Sequence, residues 1–124
     1  MTPAQERALA VLLPKYGLDP GHAPFDFPRL FGRDAGRTLE IGFGDGDTLA
    51  ELARLHPQCD YLGIEVHRPG VGRLLMAVEA EHINNVRVVC ADAVEVLARC
   101  VPASSLDAVL DRKSTRLNSS HGII

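Results

Sequence analysis

The chain has 124 residues, 46% hydrophobic and 23% charged, with a formal net charge of −3. That length fits one small domain or part of a larger one, and no apolar run approaches the roughly 20 residues of a membrane-spanning helix. Cys59, Cys90 and Cys100 form an odd set without C-x-x-C spacing, which favours buried reduced thiols over a metal centre or a disulfide framework.

The N-terminus has no basic segment followed by an apolar core, so no secretory leader is expected and a cytoplasmic location is. Thr2 is placed to cap a helix with Pro3 at its first position, and Gln5 completes a capping box. Ala4, Ala8, Leu9, Val11 and Leu12 follow at helical spacing, and Pro14 is expected to stop the run. Pro20-Gly21, Pro24, Pro28, Gly32 and Gly36 then mark an irregular arm, pinned by Phe25, Phe27, Leu30 and Phe31. Residues 1–37 are therefore expected to be a helix and an arm, ahead of a domain over 38–110.

From Thr38 the pattern alternates. Leu39–Phe43 reads as a strand, Thr48–His56 as a helix and Tyr61–Glu65 as a second strand. Gly70–His82 is helical, with Val71, Leu74, Leu75 and Val78 on one face and Gly72 allowing close helix–sheet packing. Val86–Cys90 is a third strand, Ala93–Cys100 a helix and Leu106–Leu110 a fourth strand. Such alternation predicts an α/β domain with a parallel sheet, whose ligand sits at the strand C-termini.

The tail breaks this pattern. Asp111 to His121 corresponds codon for codon to the translation of a common sequencing-library adapter, so residues 111–124 are expected to be an adapter-derived artefact on a chain truncated near Leu110. Residues 1–110 alone carry ten basic and fifteen acidic side chains, so a basic surface for nucleic acid is expected to lie elsewhere. Truncation there would leave the fourth strand as an open apolar edge, an aggregation liability.

The densest chemistry lies in Leu39-Glu40-Ile41-Gly42-Phe43-Gly44-Asp45-Gly46-Asp47. Gly42, Gly44 and Gly46 at a strand–helix turn let backbone and ligand approach closely. A phosphate loop would need lysine after the last glycine, and here Asp47 and Thr48 follow. Asp45 and Asp47 would repel a pyrophosphate at the helix N-terminus. They suit S-adenosylmethionine (SAM), whose sulfonium and ammonium groups are cationic; Asp47 is equally placed as a helix N-cap.

Glu40 is a carboxylate inside an apolar strand, which calls for a ligand or a buried arginine such as Arg37 or Arg73. Glu65, at the tip of the second strand, is placed to accept ribose hydroxyls. Asp92 follows the third strand, where it could meet an adenine amino group or cap the Ala93 helix. His67, Pro69, Gly70 and Gly72 form a rigid loop without an assigned catalytic role, and no Ser/His/Asp or Cys/His set is discernible.

Taken together, Leu39-Glu40-Ile41-Gly42-Phe43-Gly44-x-Gly46, Gly63-Ile64-Glu65-Val66-His67-x-Pro69-Gly70-Val71-Gly72 and Cys90-x-Asp92-Ala93-Val94-Glu95-Val96-Leu97 resemble the bacterial tRNA (guanine-N7-)-methyltransferases of the TrmB type. The resemblance covers Thr2 to Leu110. It implies a Rossmann-like class I SAM methyltransferase fold, present here as the N-terminal half of the sheet, and transfer of a methyl group to guanine N7 in the tRNA variable loop. It implies that Glu40, Gly42, Gly44, Glu65 and Asp92 bind the cofactor, that tRNA is the partner, and that neither metal nor membrane is involved. The family's catalytic aspartate, in an aromatic-Pro-Asp-Pro-Trp motif after the fourth strand, has no counterpart in these residues. Other readings of the same residues are a SAM-dependent methyltransferase acting on a different substrate and a non-catalytic nucleoside-binding fragment.

Overall fold

Four parallel strands, β1 (Gly36–Ile41), β2 (Cys59–Ile64), β3 (Val86–Val89) and β4 (Ala108–Asp111), lie side by side in the order β3-β2-β1-β4. They are seen in a computed structural model that describes residues 1–21, 24–111 and 116–119. Helices α1 (Pro3–Tyr16), α2 (Phe27–Phe31), α3 (Asp47–Leu55), α4 (Arg68–Ala80) and α5 (Ala93–Arg99) connect and cover them. Strand order reverses at β1, which pairs with β2 on one side and β4 on the other. Ligands of open parallel sheets bind at such a reversal, outside the strand C-termini.

The pleat divides the sheet into two apolar faces. On one face Tyr61, Val86 and Val88 pack with Phe43 of the turn after β1 and with Leu9, Leu49, Val71, Leu74, Leu75 and Val78 from α1, α3 and α4. On the other, Leu39, Leu62, Ile64, Val89 and Val109 pack with Phe25, Phe27, Val96 and Leu106. Hydrophobic strands buried on both sides are the signature of a parallel sheet.

The Thr2–Gln5 capping box forms, but α1 continues past Pro14 to Tyr16, contrary to the sequence expectation. Packing overrides the proline there. Tyr16 is buried, and its hydroxyl donates to Glu79 Oε1 on α4 at 2.5 Å, an oxygen that also receives Lys15 Nζ at 2.9 Å. Gly72 serves this helix pair and not the sheet: a Cβ there would lie 2.9 Å from the Gln5 carbonyl of α1.

The arm is more ordered than its proline content suggests. Asp26 caps the short helix α2, and Phe25 and Phe27 are buried as expected. Leu18 N–H donates to Val88 O at 2.8 Å, and Gly17 bridges the same residue, so the arm covers the outer edge of β3. Arg33 anchors the arm's far end by donating to the buried Asp60 carboxylate at 2.7 and 3.1 Å and to the Pro57 carbonyl at 2.7 Å.

At the opposite edge β4 is not open. Arg116–Ser119 forms β5 and pairs antiparallel with it, Val109 opposite Asn118 and Leu110 opposite Leu117. The edge that truncation near Leu110 would leave open is thus paired here by residues of the tail itself; the rest of the tail, residues 112–115 and 120–124, lies outside the described residues.

Candidate functional site

Three glycines shape the turn between β1 and α3. Gly42, Gly44 and Gly46 have φ of 70°, 64° and 79°, all in the left-handed region that L side chains resist at about 1–2 kcal/mol each. Their alternate spacing is therefore a backbone requirement. Gly42 N–H donates to Ile64 O at 2.8 Å, which ties the turn to the end of β2. A Cβ on Gly44 would meet nothing within 4 Å, so the backbone lies open to an approaching ligand.

Gly46, and not Asp47, occupies the helix N-cap position, without a side-chain bond. Asp47 is the first residue of α3, where an acid still favours the positive end of the helix dipole. Arg73 on α4 lies 3.9 Å from Asp45 and 3.7 Å from Asp47. These exposed contacts are worth under about 1 kcal/mol, so they temper the turn's negative charge without cancelling it.

The junction from β2 to α4 supports the turn from beside it. Glu65 accepts from Gly44 N–H at 2.7 Å through Oε1, and from Val66 N–H at 3.0 Å and His67 N–H at 2.9 Å through Oε2. Burial alone would raise this carboxyl, but the amides of His67, Gly44 and Val66, helped by the nearby His67 ring, outweigh it and leave the pKa lowered. Lowering in the folded state means that the clasp stabilises the fold above the usual glutamate range and is lost as pH falls through the lowered value. The Gly44, Val66 and His67 amide resonances are therefore expected to titrate together, with a midpoint below that of an exposed glutamate. Separate midpoints would show that the three do not share one carboxylate.

Gly70 completes this support. A Cβ there would sit 2.0 Å from the Gly44 carbonyl oxygen, and one on Gly46 would sit 2.7 Å from Leu74 of α4. From sequence Gly70 reads only as part of a rigid loop. Its real constraint, the backbone of a residue 26 positions earlier, has no local signal.

Two clefts meet at this turn. One, of about 280 Å³, is lined by Ile41, Gly42, Ile64, Glu65, Val66, Ala91, Asp92, Ala93, Val94 and Asp111. Its walls are apolar with three carboxylates, and Val66 and Val94 stand exposed on its rim. The other, of about 450 Å³, runs over the backbone of Gly42 to Thr48. The structure thus brings Gly42, Gly44, Glu65 and Asp92 together. Asp92 also caps α5, its Oδ1 accepting from Val94 N–H at 2.8 Å.

Glu40 is placed differently. It is fully buried near the end of β1, opposite Gly63 of β2 and Leu110 of β4, and lines neither cleft. Of the two arginines considered as its partners, Arg37 bonds to Asp34 and the Ser105 carbonyl, and Arg73 lies beside the turn acids. Gly63 leaves room beside it that Phe43 and Leu49 fill, since a Cβ there would be 2.7 and 2.6 Å from them.

Among the described residues no cluster of His, Cys, Asp and Glu could hold a metal ion, and no helix is long and apolar enough to cross a membrane. Burial pushes the Cys90 and Cys100 thiols up, which keeps them protonated and poor nucleophiles.

Residues 34–110 match the Methyltransf_4 family, described as "Putative methyltransferase". A tRNA (guanine-N(7)-)-methyltransferase of Alkalilimnicola ehrlichii is 59% identical over 111 residues, which are 88% of this chain and 47% of the relative. The enzyme of the same name from Nitrosococcus oceani is 52% identical over 109 residues, 88% of this chain and 46% of its own. The chain spans about half the length of the curated relatives it matches. Among solved structures, Haemonchus contortus phosphoethanolamine N-methyltransferase 2 shares the fold. Its complex with S-adenosylhomocysteine gives a TM-score of 0.54 at 23% identity, covering 86% of this chain and 21% of that one. Its complex with SAM gives 0.53 at 22%, covering 86% and 20%.

Proposed function

The chain belongs to the Methyltransf_4 family of methyltransferases, and on that premise we propose that it is the cofactor-binding part of a tRNA (guanine-N7-)-methyltransferase that uses SAM. The observation that carries the cofactor half is the open backbone at Gly44, set among carboxylates with no lysine to receive a phosphate. The substrate half follows from relatives of that name at 59% and 52% identity.

The residues fit the cofactor's chemistry. Gly42 and Gly44 permit close approach of the backbone. Glu65 has acceptor capacity for a ribose hydroxyl, and Asp92, after capping α5, for an adenine amino group. Asp45 and Asp47, exposed at the turn, supply negative potential toward a sulfonium and an ammonium group. SAM supplies an activated methyl group. Guanine N7 presents an in-plane lone pair without a proton, so the protein's task is positioning and exclusion of water rather than strong base catalysis. No nucleophile or triad is required of these residues.

Residues 1–110 are net acidic, which favours a cationic tRNA-contacting surface outside them. Genomic sequence beyond codon 110 is expected to continue into an aromatic-Pro-Asp-Pro-Trp motif and a basic segment. The full-length gene product, given methyl-labelled SAM and unmodified tRNA, is expected to yield labelled 7-methylguanosine on digestion. Label at another base, in protein, or nowhere would overturn the reading.

A further inference from the structure

Glu65 does more bonded work on the protein than a ribose ligand would need. A carboxylate offers about four lone-pair positions, and three already receive the amides of Gly44, Val66 and His67. About one is left, whereas a ribose diol presents two hydroxyls. The Gly44 peptide is gripped on both sides. Its N–H is bonded to Glu65 at 2.7 Å, and its carbonyl rests against Gly70, where even a methyl group would come within 2.0 Å. A Cβ on Gly44 would meet nothing within 4 Å, so its outer side is open to a ligand.

We infer that Glu65 is a positioning residue for the glycine turn: its carboxylate locks the Gly44 amide, and so sets the backbone surface offered to the amino-acid end of the cofactor as well as meeting the ribose. The inference rests on the SAM reading above for its ligand and on the hydrogen-bond geometry for the lock. It separates from a ribose-only role, because a residue that acts solely on hydroxyls is indifferent to a ligand without them.

The test uses the full 124-residue chain, wild type and Glu65→Gln, with two ligands: S-adenosylhomocysteine and its 2′,3′-dideoxy analogue. Glu65→Gln presents one amide group's hydrogens toward backbone donors and cannot make all three bonds. It is expected to weaken the dideoxy analogue by on the order of tenfold, and S-adenosylhomocysteine by at least as much, because that ligand also loses its ribose contact. In ligand-free protein, hydrogen exchange at Gly44 is expected to accelerate by about tenfold or more, while the core amides of Leu39 and Leu62 keep their rates. A merely structural loss would speed all of these together. Unchanged affinity for the dideoxy analogue, unchanged Gly44 exchange, or uniform acceleration across the sheet would overturn the inference. Should Glu65→Gln fail to fold, Glu65→Asp makes the same comparison, since it keeps the charge but stops one methylene short of Gly44. If wild type binds neither ligand, the SAM reading fails, while Gly44 exchange still decides whether the lock exists.

Discussion

Gly70→Ala is expected to cost about 3 kcal/mol of stability, the upper part of the range for overpacking a tight site, and to abolish cofactor binding with it. The added methyl would lie 2.0 Å from the Gly44 carbonyl oxygen and 2.8 Å from its carbonyl carbon. Neither side yields easily. Gly44 is bonded to Glu65, and α4 is fixed by Val71, Leu74, Leu75 and Val78, all without solvent exposure. Gly44→Ala provides the contrast: it has free space around its Cβ but a left-handed φ, so backbone strain alone is expected to cost about 1–2 kcal/mol. Urea unfolding of the two variants measures the difference. A Gly70→Ala protein as stable as wild type would show that α4 does not press on the turn.

Asn85→Ala is the second large loss, about 2–3 kcal/mol, and it lies at the other end of the sheet. The buried Asn85 amide donates to the carbonyls of Ala53 at 3.0 Å, His56 at 3.2 Å and Cys59 at 2.8 Å. The His56 carbonyl also receives Cys59 N–H and the Cys59 carbonyl also receives Arg33, so the acceptor that depends on Asn85 is Ala53 in the last turn of α3, where the residue four positions on is Pro57 and has no N–H to give. Removing Asn85 leaves the Ala53 carbonyl without its donor and weakens the bonding of the other two, a penalty of about 1–3 kcal/mol that local water can partly relieve. Thermal unfolding should show a lower midpoint while the Glu65–Gly44 lock stays intact by hydrogen exchange. A variant within about 0.5 kcal/mol of wild type, the usual scatter of surface substitutions, would mean that the carbonyls find other donors.

The strand–turn–helix at Gly42–Gly46, the alternation of strands and helices, and the Thr2–Gln5 box were legible because each depends on neighbours in sequence. Strand and helix limits shift by one to three residues, most at the start of β1. What local pattern missed was decided at long range. Pro14 did not end α1, because Tyr16 is fastened to Glu79, 63 positions away. The α2 helix was hidden by proline and glycine density, although Asp26 before Phe27-Pro28 carries its cap. Gly72 was assigned to the sheet when its neighbour is Gln5, a contact only the folded chain creates.

The site shows the same division. Glu65 and Asp92 stand where strand-tip acids should, yet the sequence could not say that Glu65 spends three acceptor positions on backbone. Glu40 was recognised as a costly buried charge, but its place beneath the turn, outside both clefts, depends on strand register with Gly63 and Leu110. Arg73 was considered for Glu40 and instead flanks Asp45 and Asp47. The chemistry was readable from residue types; its geometry was not.

The glycine turn and the acids beside it are expected to form the cofactor site. Titration of the isotope-labelled 124-residue chain with S-adenosylhomocysteine, followed by amide NMR, tests it most directly. A competing hollow of about 430 Å³ lies between α1 and the arm, lined by Leu9, Leu13, Leu18 and Cys90 among others. Saturable shifts are expected, concentrated at Gly42 to Thr48, Glu65 to His67 and Asp92 to Val94. Shifts confined to the α1 hollow, or none at saturating ligand, would contradict it.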